Sequence, residues 1–524
     1  MRLFALERSF MKNVTTTAWQ QYEAGKEYKQ SIGLYEAVRQ NRRFYGGDQW
    51  HGVSGDLPKP VFNIVRRITD YLVSSVFPGD ISIAYADERI PFLESAALRE
   101  SVSKGIDLLN QNAAYRWKRD GMEQLARHVL LDAALTGDGV FYCWWDHTKG
   151  DGQLFEGDIR TDRVENTNLF VADVNSCDLQ AQDYVILAGR QTVRSLRREA
   201  IEAGLSEAEA ARIVGDRESE MQPRDPGYGE LKGEEKATCL IRFYREDGEV
   251  VFEKSTRDCI LRRVHTGLRY YPVAYFNWHH NQGSFHGDAP AGDLIANQKF
   301  INTAYAMAMK HMRDTAFSKV VYDKSRIPEW SNGVGEAIAA MGGGSVADAI
   351  SVVGVGKMQD GYLDLLNNVV EQTKNMMGAT EAALGDAAAN NTSAILTLQN
   401  ASRLALAGVV SNFTRCLGEL ALIWADMICT YCPEERFLPV SSTEGVAVGR
   451  SDYRMLGKEV LIATVSVGQT DRYTPAATMA LLNRLLEGGH IDVEQYLELL
   501  PEGTLLDRAG VLKTVRKKGA LRNE

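Results

Sequence analysis

One stretch limits the folds open to this chain more than any other. Residues 292–432 run helix, compact insertion, helix, small-residue loop, long helix. The first helical pattern is GDLIANQKFINTAYAMAMKHMRDTAF, 292–317. At about 100° per residue, Leu294, Ile301, Tyr305, Met309 and Met312 fall on one narrow stripe suited to helix–helix packing. Short β-like runs at 320–323 and 350–353 follow, around a Gly/Ala-rich middle with Gly342-Gly343-Gly344. The next helix, 360–377, is two-faced. Asp360, Asp364 and Glu371 lie within roughly 40° of each other, and Leu363, Leu366, Val370 and Met377 lie well away from them. AALGDAAANNTS, 382–393, breaks the pattern. A helix over 394–428 is expected next, about 50 Å long at 1.5 Å per residue.

The rest of the chain frames that stretch. Its 524 residues leave ample chain for a buried core, and 44% hydrophobic with 24% charged residues is ordinary for a globular protein. The net charge of −10 argues against a protein that grips nucleic acid by its phosphates, because grip needs clustered cations. Plain solubility accounts for it, and it is also compatible with a surface that nucleic acid passes without sticking. Seven scattered cysteines, an odd number, and the lack of a signal peptide suggest reduced thiols in a cytosolic setting. No apolar run has the length of a membrane span; the longest candidate, 405–428, carries Arg415, Glu419 and Asp426.

Ahead of residue 292 the pattern is α+β, helices first and then a mostly antiparallel sheet. Helices are expected at 14–43, 61–77, 92–112 and 117–135, with Arg66-Arg67 on the second of them. Strands are expected at 81–85, 140–145, 168–173, 184–188, 237–244, 249–253 and 273–278. Two short helices, 193–203 and 206–215, precede a polar segment, 217–235, that reads as a mobile loop. Beyond the long helix come a strand at 460–467, helices at 474–486 and 493–500, and a basic tail, KTVRKKGALR.

Catalytic and metal signatures do not assemble. Gly354-Val355-Gly356-Lys357-Met358 lacks the upstream Gly and the hydroxyl residue of a phosphate-cradling loop. No H-E-x-x-H or G-x-S-x-G occurs. Cys429-Thr-Tyr-Cys432 has no second pair, so thiols at a helix end are the plainer reading. Trp278-His279-His280, with His286 and Asp288 near, has metal-ligand residue types at a spacing that fits neither a helix face nor a zinc finger. The acidic stripe has no partner His, and a face turned to water explains it better than a catalytic pair. Nothing points to an enzyme.

Four segments in order resemble the portal protein (head–tail connector) family of tailed bacteriophages. They are NRRFYGGDQW with FNIVRRITDYLVSSV; GDGVFYCWWD with NLFVAD; AYFNWHHNQGSFHGDAPAGDLIANQKFINTAYAMAM; and VVEQTKNMMGATEAALGDAAANNTSAILTLQNASRLALAGVV. The resemblance covers nearly the whole chain and rests on organisation more than on any short signature. It implies a helix-rich α+β portal fold with wing, stem, clip and short crown, assembled as a ring, usually of twelve subunits. Carried onto this chain, the wing is 1–291, the stem helices are 292–317 and 359–380, and the clip is 318–358. The tunnel loop is 381–393, the long wing helix and returning strand 394–472, and the short crown with its basic tail 473–524.

The function implied is a channel at one capsid vertex. Double-stranded DNA is packaged through it by the terminase motor, retained, and later ejected through head–tail adaptors. The implied partners are further copies of the chain, DNA without sequence specificity, the terminase large subunit, an adaptor, and the major capsid and scaffolding proteins. The location is the virion, after assembly in the host cytoplasm; no membrane, cofactor or metal is implied. On this reading Asp360, Asp364 and Glu371 face the channel, where carboxylates repel phosphate and let a duplex slide. Small residues in the tunnel loop (Gly385, Ala388, Asn390, Asn391 and Thr392, with Leu384 and Asp386) would line the narrowest point. In the clip, Lys324, Arg326, Trp330 and Glu336 would meet terminase and adaptor. Trp330 is either an anchor there or packs on a clip helix expected at 334–341. The competing readings are another virion structural protein, such as a minor capsid or tail component, and a metal-dependent hydrolase.

Overall fold

The computed structural model describes residues 15–53, 55–77, 81–88, 90–93, 95–149, 157–216, 235–316, 319–331, 333, 337–353, 361–379, 404–432, 436–439, 445–448 and 461–467, with short pieces at 482–486, 488, 492 and 495–497. The elements run α1 Thr15–Ser31, α2 Leu34–Gly46, α3 Ile64–Val76, β1 Ile81–Asp87, α4 Ala96–Arg119 and α5 Met122–Thr136. Then come β2 Asp138–Asp146, β3 Asp158–Arg163, β4 Leu169–Val171, β5 Tyr184–Thr192, α6 Val193–Glu202 and α7 Glu207–Ala210. After these follow β6 Lys236–Glu246, β7 Glu249–Ser255, β8 Ile260–His265, β9 Val273–Asn277 and α8 Pro290–Thr315. The last are β10 Lys319–Tyr322, β11 Ile350–Val353, α9 Gly361–Met376, α10 Ala407–Tyr431, β12 Arg436–Pro439, β13 Gly445–Val448 and β14 Leu461–Val467. The fold class is α+β, and the chain divides into two compact units, 1–76 with 124–436 and 77–123 with 437–524.

The smaller unit is built on one antiparallel ladder. β1 and β14 pair from Ile81↔Val467 to Asp87↔Leu461. Strand alternation buries Ile83, Tyr85 and Asp87 and leaves the residues between them exposed. α4 covers the buried face with Val102, Ile106, Leu109 and Ala113, which recur at helical spacing. Asn110 reaches across to accept the Tyr85 amide at 2.6 Å.

In the larger unit, a five-stranded antiparallel sheet in the order β4-β5-β6-β7-β8 is accompanied by a three-stranded one, β3-β2-β9. β6 is central, and its two faces are covered by different helices. Leu240, with Phe170 and Ile186, packs under Trp19 and Tyr22 of α1. Ala237 and Cys239 point the other way and pack under Val193, Leu196 and Ala200 of α6. α10 lies on β9 and its neighbours. Phe413 meets Phe276 edge-on at 5.4 Å, and the Trp424 indole donates to Thr161 Oγ1 at 3.1 Å.

Several expectations need correction. The helix expected over 14–43 is two helices, because Gly33 adopts φ 71° and restarts the chain as α2. Trp117 closes α4 instead of opening α5, since Gly121, at φ 63°, breaks the run between them. The long helix starts at Ala407; a turn precedes it at Ala405–Leu406, and 394–403 lie outside the described residues. No helix occupies 337–341 in the insertion, and 334–336 lie outside the described residues. Four strands were not expected: β12 and β13 after the long helix, and β3 and β8 before it. For β3 and β8 the reason is local. Their sequences, DIRTDR and ILRRVH, put charge where a strand signal would put apolar residues.

Candidate functional site

α8 and α9 are the elements that the sequence singles out, so the site is built from their root upward. The chain enters α8 through Phe285–Ala289, and that entry is fixed by one buried carboxylate. Asp138 Oδ1 accepts from Tyr275 Oη at 2.8 Å, Asn277 Nδ2 at 3.1 Å and the Gly287 amide at 2.8 Å. Its Oδ2 accepts from Asn166 Nδ2 at 3.1 Å and pairs with His286 Nδ1 at 2.6 Å. Burial works against this charge, but His286 and the hydrogen bonds outweigh it, so the carboxyl sits below its ordinary range. Lys29 of α1 closes the other side. Its ammonium donates to Asn166 O at 2.6 Å and to Leu169 O, and burial pushes its pKa well below the ordinary lysine value. The backbone here has no room for side chains. A Cβ on Gly137 would stand 2.0 Å from Gly287 O.

The next two turns of α8 are held by amides. Gln298 Oε1 accepts the Ile64 and Val65 amides at 2.9 and 3.3 Å, and so completes the cap of α3, whose own Asn63 Oδ1 accepts the Arg66 amide at 3.0 Å. Gln298 Nε2 donates to Phe62 O and to Asn302 Oδ1, both at 2.9 Å. Asn302 Nδ2 then donates to Gln49 Oε1 at 2.7 Å, and Gln49 Nε2 to Phe44 O at 3.1 Å. All three amide side chains are buried. A charge-assisted clip at the far end, Arg313 Nη2 to Asp56 Oδ2 at 2.7 Å, holds the same 49–62 segment to α8.

α9 packs antiparallel on α8. Leu366 is buried against Ile301 and Ala304, with Tyr305, Tyr362, Val369 and Val370 around them. Tyr362 Oη donates to Ala304 O at 2.8 Å, and Asn297 Nδ2 to Thr373 Oγ1 at 3.1 Å. That fixes which face of α9 points away. Asp364 and Glu371 fall about 160–180° from the packed line of Tyr362, Leu366 and Thr373. Asp364 is exposed, and Glu371 is half-buried and bonded to Lys374 at 2.8 Å. The shoulders between the packed and acidic faces are apolar and open. Leu363 on one side is 49% exposed; Leu365 and Met376 on the other are 56% and 79% exposed. On α8, Leu294, Ile301 and Tyr305 of the stripe turn inward, but Met309 and Met312 are exposed, as are Phe300 and Met307 on other faces.

Between the two helices lies a small antiparallel ladder, β10 with β11, from Lys319↔Val353 to Tyr322↔Ile350. A turn after it places Lys324 in solvent and turns Arg326 back to Ser345 O at 3.2 Å. Trp330 stacks on Tyr322, with ring centroids 5.2 Å apart and planes 20° apart. Its stacking partner is therefore a strand residue of the ladder. Val321 and Val352 of the ladder are exposed, as are Met341 and Val346 in the segment before β11.

Of the candidate residues, Asp364 and Glu371 share one face of α9, and Lys324, Arg326 and Trp330 share one end of the ladder. Asp360, Glu336 and the whole loop set (Leu384, Gly385, Asp386, Ala388, Asn390, Asn391, Thr392) lie outside the described residues, as do 354–358. Arg66 and Arg67 are exposed on α3, where Arg66 sits 3.7 Å from Asp70. His286 belongs to the Asp138 cluster, and His279 and Asp288 bridge backbone to backbone. Among the described residues no group of three or more His, Cys, Asp or Glu is placed to hold a metal ion. Among them, too, no helix is long and apolar enough to cross a membrane. Sequence reasoning missed Asp138 and Gln298. Asp138 sits in a Gly-Asp-Gly that reads as a turn, and Gln298 in a polar-looking helix face.

Residues 212–450 match the model of a family described as phage P22-like portal protein. No curated protein matches the chain.

Proposed function

With a match that supports a phage portal protein as the premise, we propose that this chain is one subunit of a ring-shaped channel at a capsid vertex. Double-stranded DNA is packaged through the ring by a terminase motor, retained, and ejected through it. Portal proteins are structural components of the virion capsid, so the chemistry asked of this chain is assembly and passage. One observation carries the reading. α9 offers four surfaces at once: a back packed on α8, an outward face bearing Asp364 and Glu371, and an open apolar shoulder on each of two sides. A closed ring needs two different neighbour-facing surfaces on every copy, and the shoulders supply them. The remaining face then turns to the bore, where Asp360, Asp364 and Glu371 repel phosphate.

α8 and α9 are the stem on this reading, the β10–β11 ladder is the core of the clip, and 381–393 is the tunnel loop. The ladder's open edges and the Trp330–Tyr322 stack serve as the docking surface for terminase and later for an adaptor. Capsid and scaffolding proteins are the remaining partners. Negative-stain images of the purified full chain test the proposal. A ring with a central aperture is expected, with twelve subunits the expected number. A monomer under all conditions, with no aperture, would overturn it. Charge reversal of Asp360, Asp364 and Glu371 to Lys should slow packaging and increase DNA retention; unchanged behaviour would remove the bore assignment.

A further inference from the structure

One cation flanks the outward face of α9 on the Leu363 side: Lys374 falls about 60–80° from Glu371 and Asp364 and about 20° from Leu363. It is the helix's only one, in GYLDLLNNVVEQTKNM. That cation is one turn from Glu371 and bonded to it at 2.8 Å, with 17% of the lysine side chain and 42% of the glutamate exposed. The other charged residue on the face, Asp364, is exposed, with its nearest sequence neighbours on that face being the amides Asn367 and Asn368. A lysine here poses a problem for a surface past which a polyanion must slide, because each cation that reaches a phosphate releases counterions and holds the duplex.

We propose that Glu371 is a mask for Lys374. The carboxylate holds the ammonium against the helix surface, off the phosphates, and the two cancel as far as passing DNA is concerned. This rests on the proposed placement of the α9 face toward the bore. Glu371 therefore does more than add negative charge. Asp364 repels phosphate directly, whereas Glu371 acts chiefly through the lysine it occupies. The two carboxylates look alike in sequence and differ in consequence.

The test compares neutralised variants of the full chain assembled as a ring, probed with a short DNA duplex by fluorescence anisotropy between about 50 and 200 mM salt. Glu371→Gln is expected to bind the duplex more tightly and with a steeper salt dependence. Every further phosphate neutralised by a freed lysine steepens the fall in affinity over that salt range by about three- to fourfold. Asp364→Asn removes the same charge without freeing a cation and should leave the salt slope near wild type. Glu371→Gln with Lys374→Gln should return the slope to wild type. Equal slopes for Glu371→Gln and Asp364→Asn would show that only total charge matters and would overturn the proposal. Rings that form normally with those equal slopes would leave the channel reading standing; a wild-type chain that forms no ring would remove both.

Discussion

The Asp138–His286 pair gives the sharpest test of how α8 is held. Replacing Asp138 by Asn keeps its size and removes its charge. Five donors converge on the carboxylate: Tyr275, Asn277, the Gly287 amide, Asn166 and His286. Three of them have a second acceptor. Tyr275 Oη and Asn277 Nδ2 also reach Phe285 O, and Asn166 Nδ2 also reaches Thr136 O. The damage therefore concentrates on the imidazole and on its neighbour Gly287, both on the segment that leads into α8. Losing the charge on the acceptor of these two buried hydrogen bonds should cost about 3–5 kcal/mol, since a hydrogen bond to a charged group contributes about 1.5–3 kcal/mol. His286→Gln should cost less, about 2–3 kcal/mol, because Asp138 keeps four hydrogen bonds. The two changes share one interaction, so the double variant should fall short of the sum by about 2 kcal/mol. Amide hydrogen exchange on the full chain reads this locally, as the opening free energy of residues 285–294 against that of β6. Asp138→Asn should lower the first more than the second. Loss below about 1 kcal/mol at 285–294, or additive single effects, would refute the claim that this pair fixes the entry to α8.

Three further outcomes follow from the same geometry. Gln298→Leu strands the Val65 amide, while the Ile64 amide keeps Phe62 O at 2.8 Å, and should cost about 1–3 kcal/mol, seen as a lower urea midpoint without a change in slope. Gly139→Ala should lower the melting temperature through a clash worth about 1–3 kcal/mol, since its Cβ would stand 2.2 Å from the Phe276 ring, whereas Gly189→Ala meets nothing within 4 Å and should be nearly neutral. Burial pushes the Glu419 carboxyl up to about 7 from an ordinary value of 4.5, with Asp178 adding to the rise and Arg415 opposing it. The folded state thus holds a proton that the unfolded chain has released, and stability should fall by up to about 3 kcal/mol as pH rises from 4.5 to 7. Glu419→Gln should remove that part of the fall, measured as urea midpoints across the same range, and leave the part due to Asp132, whose carboxyl burial raises to about 6.

How much of this was open to sequence reasoning depended on how local each signal was. β2, β5, β6 and β9 carry β-branched and aromatic runs that announce a strand without help from the rest of the chain. β3 and β8 carry charges whose partners lie on other elements, such as Arg160 with Asp146 of β2 and Arg163 with Asp132 of α5, so their sequences look like loops. The split of α1 from α2 turns on a single left-handed Gly33, and glycine alone does not say whether a helix will tolerate it or stop. The two-faced character of α9 was legible because a period of 3.6 residues sorts acids from apolar residues within one helix. What periodicity left unsaid is that only Leu366 is fully buried among the apolar residues named there, with Leu363 left open. Asp138 and His286 are 148 residues apart, and Gln298 lies 234 residues from the amide it caps, so neither interaction has a local sequence signature.

The packing of α8 changes along its length, and that gradient bears on assembly. Near its start the helix is held by the Asp138 cluster, the Gln298–Asn302–Gln49 amides and the leucine–isoleucine stripe, all buried. Toward its end Met307, Met309 and Met312 are exposed, and the main tie is the exposed Arg313–Asp56 pair. Water screens an ion pair this exposed, so it holds the far half of α8 only weakly within one chain. On α9 the shoulder residues Leu363, Leu365 and Met376 are likewise 49%, 56% and 79% exposed. Methionine and leucine left open on adjacent helices are groups whose burial stabilises by about 1.5–3 kcal/mol each when a neighbour covers them. In a ring, each subunit boundary would supply that cover on both sides. The stem of a single chain would then complete its packing only on assembly, while its root is fully formed beforehand. Exchange at 305–313 and 361–376 should therefore slow on ring formation, with little change at 290–302. Equal protection of both halves in the unassembled chain would contradict this order of events.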